Sequence, residues 1–253
     1  LRDPSLQRLV VTADDHQRDV DQVVVAEHVT APRDTAFGDQ LGDVVMTTLM
    51  IRPLKRAFPD AEIFWMVKKQ YVSFLAFHPD IYDVIEDPLP YRTTTKHWPA
   101  IRKLAKKIKE KNIDLFIGSW ENPRYAFLAA LAGIPYRVGH STSIWNRLLY
   151  THLHAYDFRN FFVHKADTNL GLLEALGLSV ACYPTELSQR VDLEKSFQLK
   201  HPEIQNKGFI ALHMDAGNPI RMLLPYQFEE LVRGLLLLGN VVLFGSSTNS
   251  ETA

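Results

Sequence analysis

The chain has little of several features that mark particular classes of protein. It contains one cysteine, Cys182, so no internal disulfide can form and a reducing compartment is expected. The absence of CxxC and HExxH motifs argues against a structural zinc site or a protease-like metal site. No apolar run reaches the ~18 residues that a membrane-spanning helix needs. The 29 acidic and 28 basic residues nearly cancel, so no overall field draws the protein to nucleic acid.

These absences predict a soluble intracellular protein that holds no metal. The first residues, LRDPSLQRLVV, lack the basic and then apolar order of a signal peptide. A length of 253 residues allows one good hydrophobic core and part of a second domain.

From residue 61 onward, short apolar runs alternate with amphipathic stretches. This alternation is typical of an α/β fold in which helices cover both faces of a parallel sheet. Such sheets bind ligands beyond the carboxyl ends of their strands. Strands are predicted at residues 61–67, 81–86, 113–118 and 136–139, with helices at 98–111 and 123–132, and a strand–helix–strand unit at 208–245.

The stretch FGDQLGDVVMTT at residues 37–48 joins a Gly-Asp loop to an apolar helix. Gly38 and Gly42 would let the backbone turn sharply and approach a ligand. The free backbone amides at the helix start suit an anionic ligand, and the carboxylate of Asp43 beside them is placed to act as a general base. The alternative is that Asp43 only caps the helix. Pro53 is expected to kink this helix.

A resemblance to glycosyltransferase family 9, the heptosyltransferase family, rests on segments that follow one another in order. They are GDVVMTT, KRAFPDAEI, HPDIYDVI, IDLFIG, LAALAGIPYRVGH, HKADTNLGLLEALGL and FIALHMDAGNP. The resemblance implies a GT-B fold, in which two Rossmann-like domains flank the active site. It implies an acceptor-binding domain at 36–176 and the start of a nucleotide-sugar-binding domain at 207–253. The segment between them, 177–206, has few long apolar runs and carries Pro184 and Pro202, so it is predicted to be an interdomain linker of irregular structure.

Two departures from the family accompany this resemblance. The residues before the Gly-Asp loop, APRDTAF, make a poor central strand, so residues 1–35 are predicted to be atypical and either poorly ordered or irregularly packed. The Asp-Thr-Gly segment of the family's second domain does not occur after Gly245, so the sequence is expected to be a fragment that stops early in that domain.

The activity that the resemblance implies is inverting, metal-independent transfer of a heptose or related sugar. The donor is a nucleotide-sugar, expected to be ADP-heptose, and no cofactor is required. The acceptor is a lipopolysaccharide-core or similar glycolipid. A cytoplasmic protein with peripheral contact to the inner membrane surface, and no nucleic-acid partner, is expected.

The site residues follow from the resemblance and from strand-end positions. Asp43 is the expected catalytic base. The expected acceptor-binding residues are Gly42, Thr47, Ser119, Glu121, Arg124 and His164, and the expected donor-binding residues are Asp215, Gly217, Asn218 and Arg221. Arg124 would hold a phosphate or carboxylate through its guanidinium. His164 has an equally plausible packing role at the interdomain hinge, and His140 is assigned no role.

Other interpretations remain open at this point. The helix IRKLAKKIKEK at 101–111 has one apolar face and a basic remainder, which fits a helix covering the sheet or one lying against anionic lipid. The protein as a whole is alternatively a non-catalytic domain that binds a glycan acceptor. An oxidoreductase is disfavoured because no GxGxxG follows a strand.

Overall fold

The computed structural model describes residues 22–26, 41–90, 95–120, 122–155, 163–180, 191–202, 208–213 and 222–245. These residues form two compact units. The first unit includes the strand at 22–26 and residues 42–180, and the second includes residues 191–245.

The first unit alternates strands and helices along the chain. Its strands are β1 (Gln22–Ala26), β2 (Glu62–Val67), β3 (Asp83–Glu86), β4 (Leu115–Gly118), β5 (Tyr136–His140) and β6 (His152–His154). Its helices are α1 (Leu41–Thr48), α2 (Ile51–Ala57), α3 (Lys69–Leu75), α4 (Trp98–Lys109), α5 (Pro123–Ala132), α6 (Ile144–Leu149) and α7 (Lys165–Glu174), with a 3₁₀ turn at Thr95–His97 before α4.

All six strands are parallel and lie in the order β3-β2-β1-β4-β5-β6. This is the strand order of a Rossmann sheet, and the order reverses between β1 and β4. The α/β fold class predicted from the alternation is confirmed. The four predicted strands of this region and its two predicted helices are present within two residues of their predicted bounds.

The strand β1 corrects one prediction. Residues 1–35 were expected to pack irregularly, yet Gln22–Ala26 pairs with β2 on one side and β4 on the other, at the centre of the sheet. The segment QVVVA supplies the apolar, β-branched residues that a central parallel strand requires. The prediction failed because it asked for a strand next to the Gly-Asp loop, whereas β1 ends fifteen residues before α1 begins.

The two faces of the sheet bury two separate apolar clusters. Alternate residues of β2 divide between them: Ile63, Trp65 and Val67 face one layer, and Phe64 and Met66 face the other. Helices α1, α2, α3 and α7 cover the first face, and α4 and α5 cover the second. Because both faces are covered, the strands read as nearly continuous apolar runs.

Helix α4 is the basic amphipathic helix of the sequence. Its apolar side chains Ile101, Leu104, Ala105 and Ile108 are buried in the second cluster, while its basic side chains are exposed. The interpretation as a sheet-covering helix is therefore confirmed. Among the helices that the structure describes, none combines the length and hydropathy needed to cross a membrane.

The kink expected at Pro53 is a complete break between two helices. Helix α1 ends at Thr48 and α2 begins at Ile51, which places Pro53 in the first turn of α2. Proline is tolerated there because the first amide groups of a helix have no partner within the helix. The amide of Met50 instead donates to the carbonyl of Thr47 at 3.0 Å and closes a tight turn.

The second unit contains α8 (Val191–Lys200) and the predicted strand–helix–strand unit. Strands β7 (Phe209–His213) and β8 (Asn240–Phe244) are parallel and are joined through α9 (Pro225–Leu236). Helix α8 corrects a second prediction, because residues 177–206 were expected to be irregular. The Pro184 and Pro202 that suggested irregular structure lie on either side of this helix, not within it.

Two glycines make room for a buried tyrosine between β4 and β5. A Cβ atom at Gly118 or Gly139 would overlap the side chain of Tyr150, which is 4% exposed. Burial also raises the pKa of the Tyr150 hydroxyl. The glycines at these positions are therefore required by packing, since both have ordinary strand backbone angles.

Substitution of Gly139 by alanine is expected to destabilise the protein by about 1–3 kcal/mol, because the added methyl group must displace a buried ring. The control is Gly42→Ala, where an added Cβ meets no atom within 4 Å. Chemical denaturation of both variants measures the free energy of unfolding. Equal stability of the two variants would contradict this account of the Tyr150 packing.

Candidate functional site

The point where the strand order reverses lies between β1 and β4, and their carboxyl ends mark the expected ligand crevice. The last paired residues of these strands are Ala26 and Gly118. After β1 the next described element is α1, and after β4 come Ser119 and Trp120. By topology, this edge is where the expected site residues of the first unit would lie together.

Asp43 lies in the first turn of α1 and is partly exposed. The position combines a carboxylate with the free amides and partial positive charge of a helix start. Gly42 is exposed, adopts ordinary helical angles and has open space around it. The expectation that Gly42 turns the backbone sharply is wrong, although the open space leaves the helix start accessible.

Thr47 is expected to bind the acceptor, but its side chain is fully buried. Its hydroxyl donates to the carbonyl of Asp43 at 2.8 Å and accepts from the amide of Asn169 on α7 at 3.2 Å. Asn169 is also 0% exposed. These bonds tie the first turn of α1 to α7, so Thr47 holds Asp43 in position and does not face a ligand.

Ser119 and Trp120 follow β4 and meet Lys165, the first residue of α7. The Lys165 ammonium donates to the Ser119 carbonyl at 3.3 Å and lies 4.5 Å from the centre of the Trp120 ring. Ser119 itself is 1% exposed, so very little of the residue is accessible to a ligand. Lys165 was missed in the sequence, where attention fell on its neighbour His164.

His164 is the N-cap of α7. Its Nδ1 atom accepts from the amide of Ala166 at 3.1 Å, and its side chain is otherwise exposed. This capping bond satisfies one of the free amides at the start of the helix. The imidazole therefore lies at the carboxyl edge of the sheet with a structural bond already in place.

Arg124 is expected to bind an anion, but the anion that it binds is a side chain of the protein. Its Nη2 donates to Oδ2 of Asp87 at 2.7 Å, and its side chain is 3% exposed. The same carboxylate oxygen accepts from Lys68 at 2.9 Å and from the Tyr125 hydroxyl at 2.9 Å. We call these four residues the Asp87 cluster.

The Asp87 cluster joins three segments at the carboxyl edge. Lys68 follows β2, Asp87 follows β3, and Arg124 and Tyr125 lie in the first turn of α5. Desolvation lowers the pKa of Lys68, and the attraction of Asp87 opposes that shift. Burial raises the pKa of the Tyr125 hydroxyl. The strand-end rule that selected Ser119 would also have found Lys68 and Asp87, had it been applied to β2 and β3.

A second polar pair, of which His140 is buried and His154 half-buried, lies at the ends of β5 and β6. The Nδ1 atoms of His140 and His154 are 3.2 Å apart, so one ring donates and the other accepts. Burial lowers the pKa of His140 to about 3, and the charges of Lys165 and His154 act in the same direction. Burial also lowers the pKa of His154. Both rings are therefore neutral near pH 7.

Several expected site residues lie outside the described residues. They are Glu121 on the acceptor side and Asp215, Gly217, Asn218 and Arg221 on the donor side. In the part of the chain that the structure describes, no group of three or more His, Cys, Asp or Glu side chains could hold a metal ion.

The Asp87→Asn variant is expected to lose about 3–5 kcal/mol of stability, because two buried cations would lose their common counter-charge. The matched control is Asp83→Asn, which breaks the Asp83–Lys111 pair of 2.9 Å whose side chains are 48% and 33% exposed. That loss should be less than about 1 kcal/mol. Urea denaturation measures both, and equal losses would contradict a structural role for the Asp87 cluster.

The low pKa of His140 predicts a pH-dependent stability. The unfolded imidazole takes up a proton near pH 6.5, whereas the folded one does so near pH 3, so the unfolded state binds more protons between these values. Stability is greatest above pH 6.5 and falls as the pH is lowered through this window. A His140→Gln variant should show a shallower slope of unfolding free energy against pH, and an unchanged slope would be evidence against this assignment.

Comparison with known proteins bears on what this edge does. No family model matches the chain. A putative glycosyltransferase of Haemophilus influenzae is 26% identical over 230 residues, which cover 85% of this chain and 64% of that protein.

Solved structures match this chain more closely in fold than in sequence. A glycosyltransferase family 9 protein from Veillonella parvula aligns with a TM-score of 0.74 and 21% identity over 93% of this chain and 65% of its own. The ADP-heptose lipopolysaccharide heptosyltransferase II of E. coli aligns with a TM-score of 0.68 and 20% identity over 92% of this chain and 66% of its own. The E. coli heptosyltransferase WaaC with ADP aligns with a TM-score of 0.61 and 17% identity over 91% of this chain and 69% of its own.

This chain thus spans about two thirds of the length of these proteins. The resemblance to glycosyltransferase family 9 that the sequence motifs indicated is confirmed at the level of the fold. The described chain has the GT-B-like α/β fold of the family 9 glycosyltransferases and heptosyltransferases.

Proposed function

We propose that this protein is a glycosyltransferase that moves a heptose or a related sugar from a nucleotide-sugar to a lipopolysaccharide-core or similar glycolipid. The observation that carries the proposal is the position of Asp43 in the first turn of α1, which is the next described element after the central strand β1 of a family 9-like sheet. The glycosyltransferase relative and the heptosyltransferase structures support the reaction class.

Asp43 is the general base in this proposal. Its carboxylate takes the proton from the acceptor hydroxyl as that oxygen attacks the anomeric carbon. The bond from the anomeric carbon to the nucleoside diphosphate breaks on the opposite side, so the configuration inverts. Helix N-termini and basic side chains stabilise the departing diphosphate, and no metal is required.

The hydrogen bonds of Thr47 support the role of Asp43. A general base must hold its position to within a fraction of an ångström, and the rigid support of surrounding residues provides this. Thr47 is bonded both to the Asp43 carbonyl and to Asn169, and both partners of the second bond are fully buried. This interior contact fixes the first turn of α1 against α7.

The acceptor is proposed to contact Gly42, Ser119 and His164, together with Glu121, which lies outside the described residues. Lys165 adds a cation at this edge, with its ammonium over the Trp120 ring. A phosphate or carboxylate of the acceptor would pair with that ammonium. Arg124 has a structural role in this proposal, since its guanidinium donates to Asp87 and to the carbonyl of Pro90 and is therefore not available to the acceptor.

The donor is proposed to be ADP-heptose, bound through Asp215, Gly217, Asn218 and Arg221 after β7. Support comes from the structural neighbours, one of which contains ADP and another ADP-2-deoxy-2-fluoro heptose. A cytoplasmic location, with the acceptor reached at the inner face of the membrane, follows from this choice of donor and acceptor.

The Asp43→Asn variant should lower the rate of heptose transfer by about 100- to 10,000-fold, the range that general-base catalysis contributes. The substitution keeps the shape of the side chain, so the fold should be intact by circular dichroism. The matched control is Asp192→Asn, which also changes an acid in the first turn of a helix. Its transfer rate should equal that of the parent protein.

Calorimetric titration with ADP-heptose and with a deacylated, phosphorylated acceptor separates binding from turnover. Asp43→Asn should bind both ligands as tightly as the parent chain while failing to transfer. Normal transfer by this variant would remove Asp43 from the base role. Acceptor binding by the parent chain with neither donor binding nor transfer would instead support a non-catalytic acceptor-binding protein.

A further inference from the structure

Helix α6 exposes half of its residues as large apolar side chains. Ile144 is 69% exposed, Trp145 51% and Leu148 68% in a helix of six residues, Ile144–Leu149. The spacing of these three positions places them on one face of the helix. A surface helix of a globular protein normally turns such a face toward the core. Here that face lies in solvent.

The exposed face continues onto the two neighbouring helices. Trp98 at the start of α4 is 37% exposed, and Leu131 on α5 is 47% exposed. The ring of Phe127 on α5 lies 5.6 Å from Trp98 and 5.4 Å from Trp145 between ring centres. We call the six residues Trp98, Phe127, Leu131, Ile144, Trp145 and Leu148 the apolar patch. It is continuous across α4, α5 and α6, which pack side by side.

The charged residues within the three helices of the apolar patch have one sign. The sequences of α4, α5 and α6 contain no Asp or Glu. Six basic residues of α4 and α6 are exposed: Arg102, Lys103, Lys106, Lys107, Lys109 and Arg147. The other basic residue of these helices, Arg124, is buried against Asp87. A protein of net charge −1 thus carries only cations on the three helices that form the apolar patch.

This combination fits the surface of an anionic bilayer. Tryptophan and aliphatic side chains insert at the boundary between headgroups and acyl chains, and surrounding Lys and Arg side chains attract anionic lipid headgroups. Long basic side chains also reach toward the headgroups while their stems cover apolar surface. We propose that the apolar patch and the basic residues of α4 and α6 dock this protein peripherally on an anionic lipid membrane.

The location of the apolar patch gives the proposal a consequence for the site. Helices α4 and α6 start at the carboxyl edge of the sheet, and α6 begins four residues after β5 ends at His140. Trp98 and Ile144 are the first residues of these two helices. Docking therefore brings the candidate site next to the lipid headgroups. The docking itself does not depend on the transfer reaction, so it is tested separately.

The test is co-sedimentation of the 253-residue chain with lipid vesicles. Vesicles containing phosphatidylglycerol should bind the protein, pure phosphatidylcholine vesicles should bind it much more weakly, and high salt should weaken binding to the anionic vesicles. The apolar variant is Ile144→Ser with Leu148→Ser, and the charge variant is Lys103→Glu with Lys107→Glu. Each should lower partitioning by about tenfold or more.

Matched controls make the same chemical changes on the opposite layer of the sheet. Phe77→Ser replaces a side chain that is 56% exposed after α3, and Arg52→Glu with Lys69→Glu reverses two exposed charges on α2 and α3. Both controls should partition like the parent chain. Circular dichroism and thermal melting establish that all variants are folded, which is expected because every altered side chain is exposed.

Any of three results would overturn the proposal. The first is that the parent chain does not bind anionic vesicles, and the second is that it binds neutral and anionic vesicles equally. The third is that the patch variants bind vesicles as well as the control variants do. Analytical ultracentrifugation of the same proteins tests whether a second copy of the chain occupies the apolar patch. Self-association that the apolar variant abolishes, without vesicle binding by the parent chain, would identify the patch as a contact between two copies and reject the membrane.

Discussion

The backbone pairing of β1 with β2 on one side and β4 on the other is the interaction on which the rest of the first unit depends. It sets the centre of the sheet and the place where the strand order reverses. Since all six strands are parallel, their carboxyl ends meet at one edge. The candidate site, from the first turn of α1 to the start of α7, is expected at that edge because of this pairing.

Buried polar contacts then hold the edge together. The carboxylate of Asp87 connects the ends of β2 and β3 to the start of α5 through Lys68, Arg124 and Tyr125. Thr47 and Asn169 connect α1 to α7, and His140 and His154 connect β5 to β6. Unpaired polar groups are costly in a low-dielectric interior, so these mutual contacts restrict the geometry of the edge. Asp43, the proposed base, would lie on a scaffold restricted in this way.

The apolar patch shows how local composition differs from overall composition. The acidic and basic residues of the chain nearly cancel, and that balance argued only against nucleic acid. Folding places α4, α5 and α6 side by side, and these three helices carry basic residues but no acidic ones. The aromatic contacts among Trp98, Phe127 and Trp145 make the apolar side chains continuous. The surface proposed to dock on a membrane is thus assembled from segments that are separate in sequence.

The sequence by itself determined the α/β class, most strand and helix positions and the buried face of α4, because apolar periodicity acts over a few residues. It predicted only a kink at Pro53, whereas one helix ends at Thr48 and the next begins at Ile51. It also placed Asp43 in the first turn of a helix. Only the tertiary structure decided that Gln22–Ala26 is a central strand, since strand pairing is a long-range contact. It alone showed that Thr47 is buried, that Arg124 is held by Asp87, and that Lys165 reaches Ser119. These partners lie 37 to 122 residues apart in the chain, and their pairing depends on how the helices pack on the sheet.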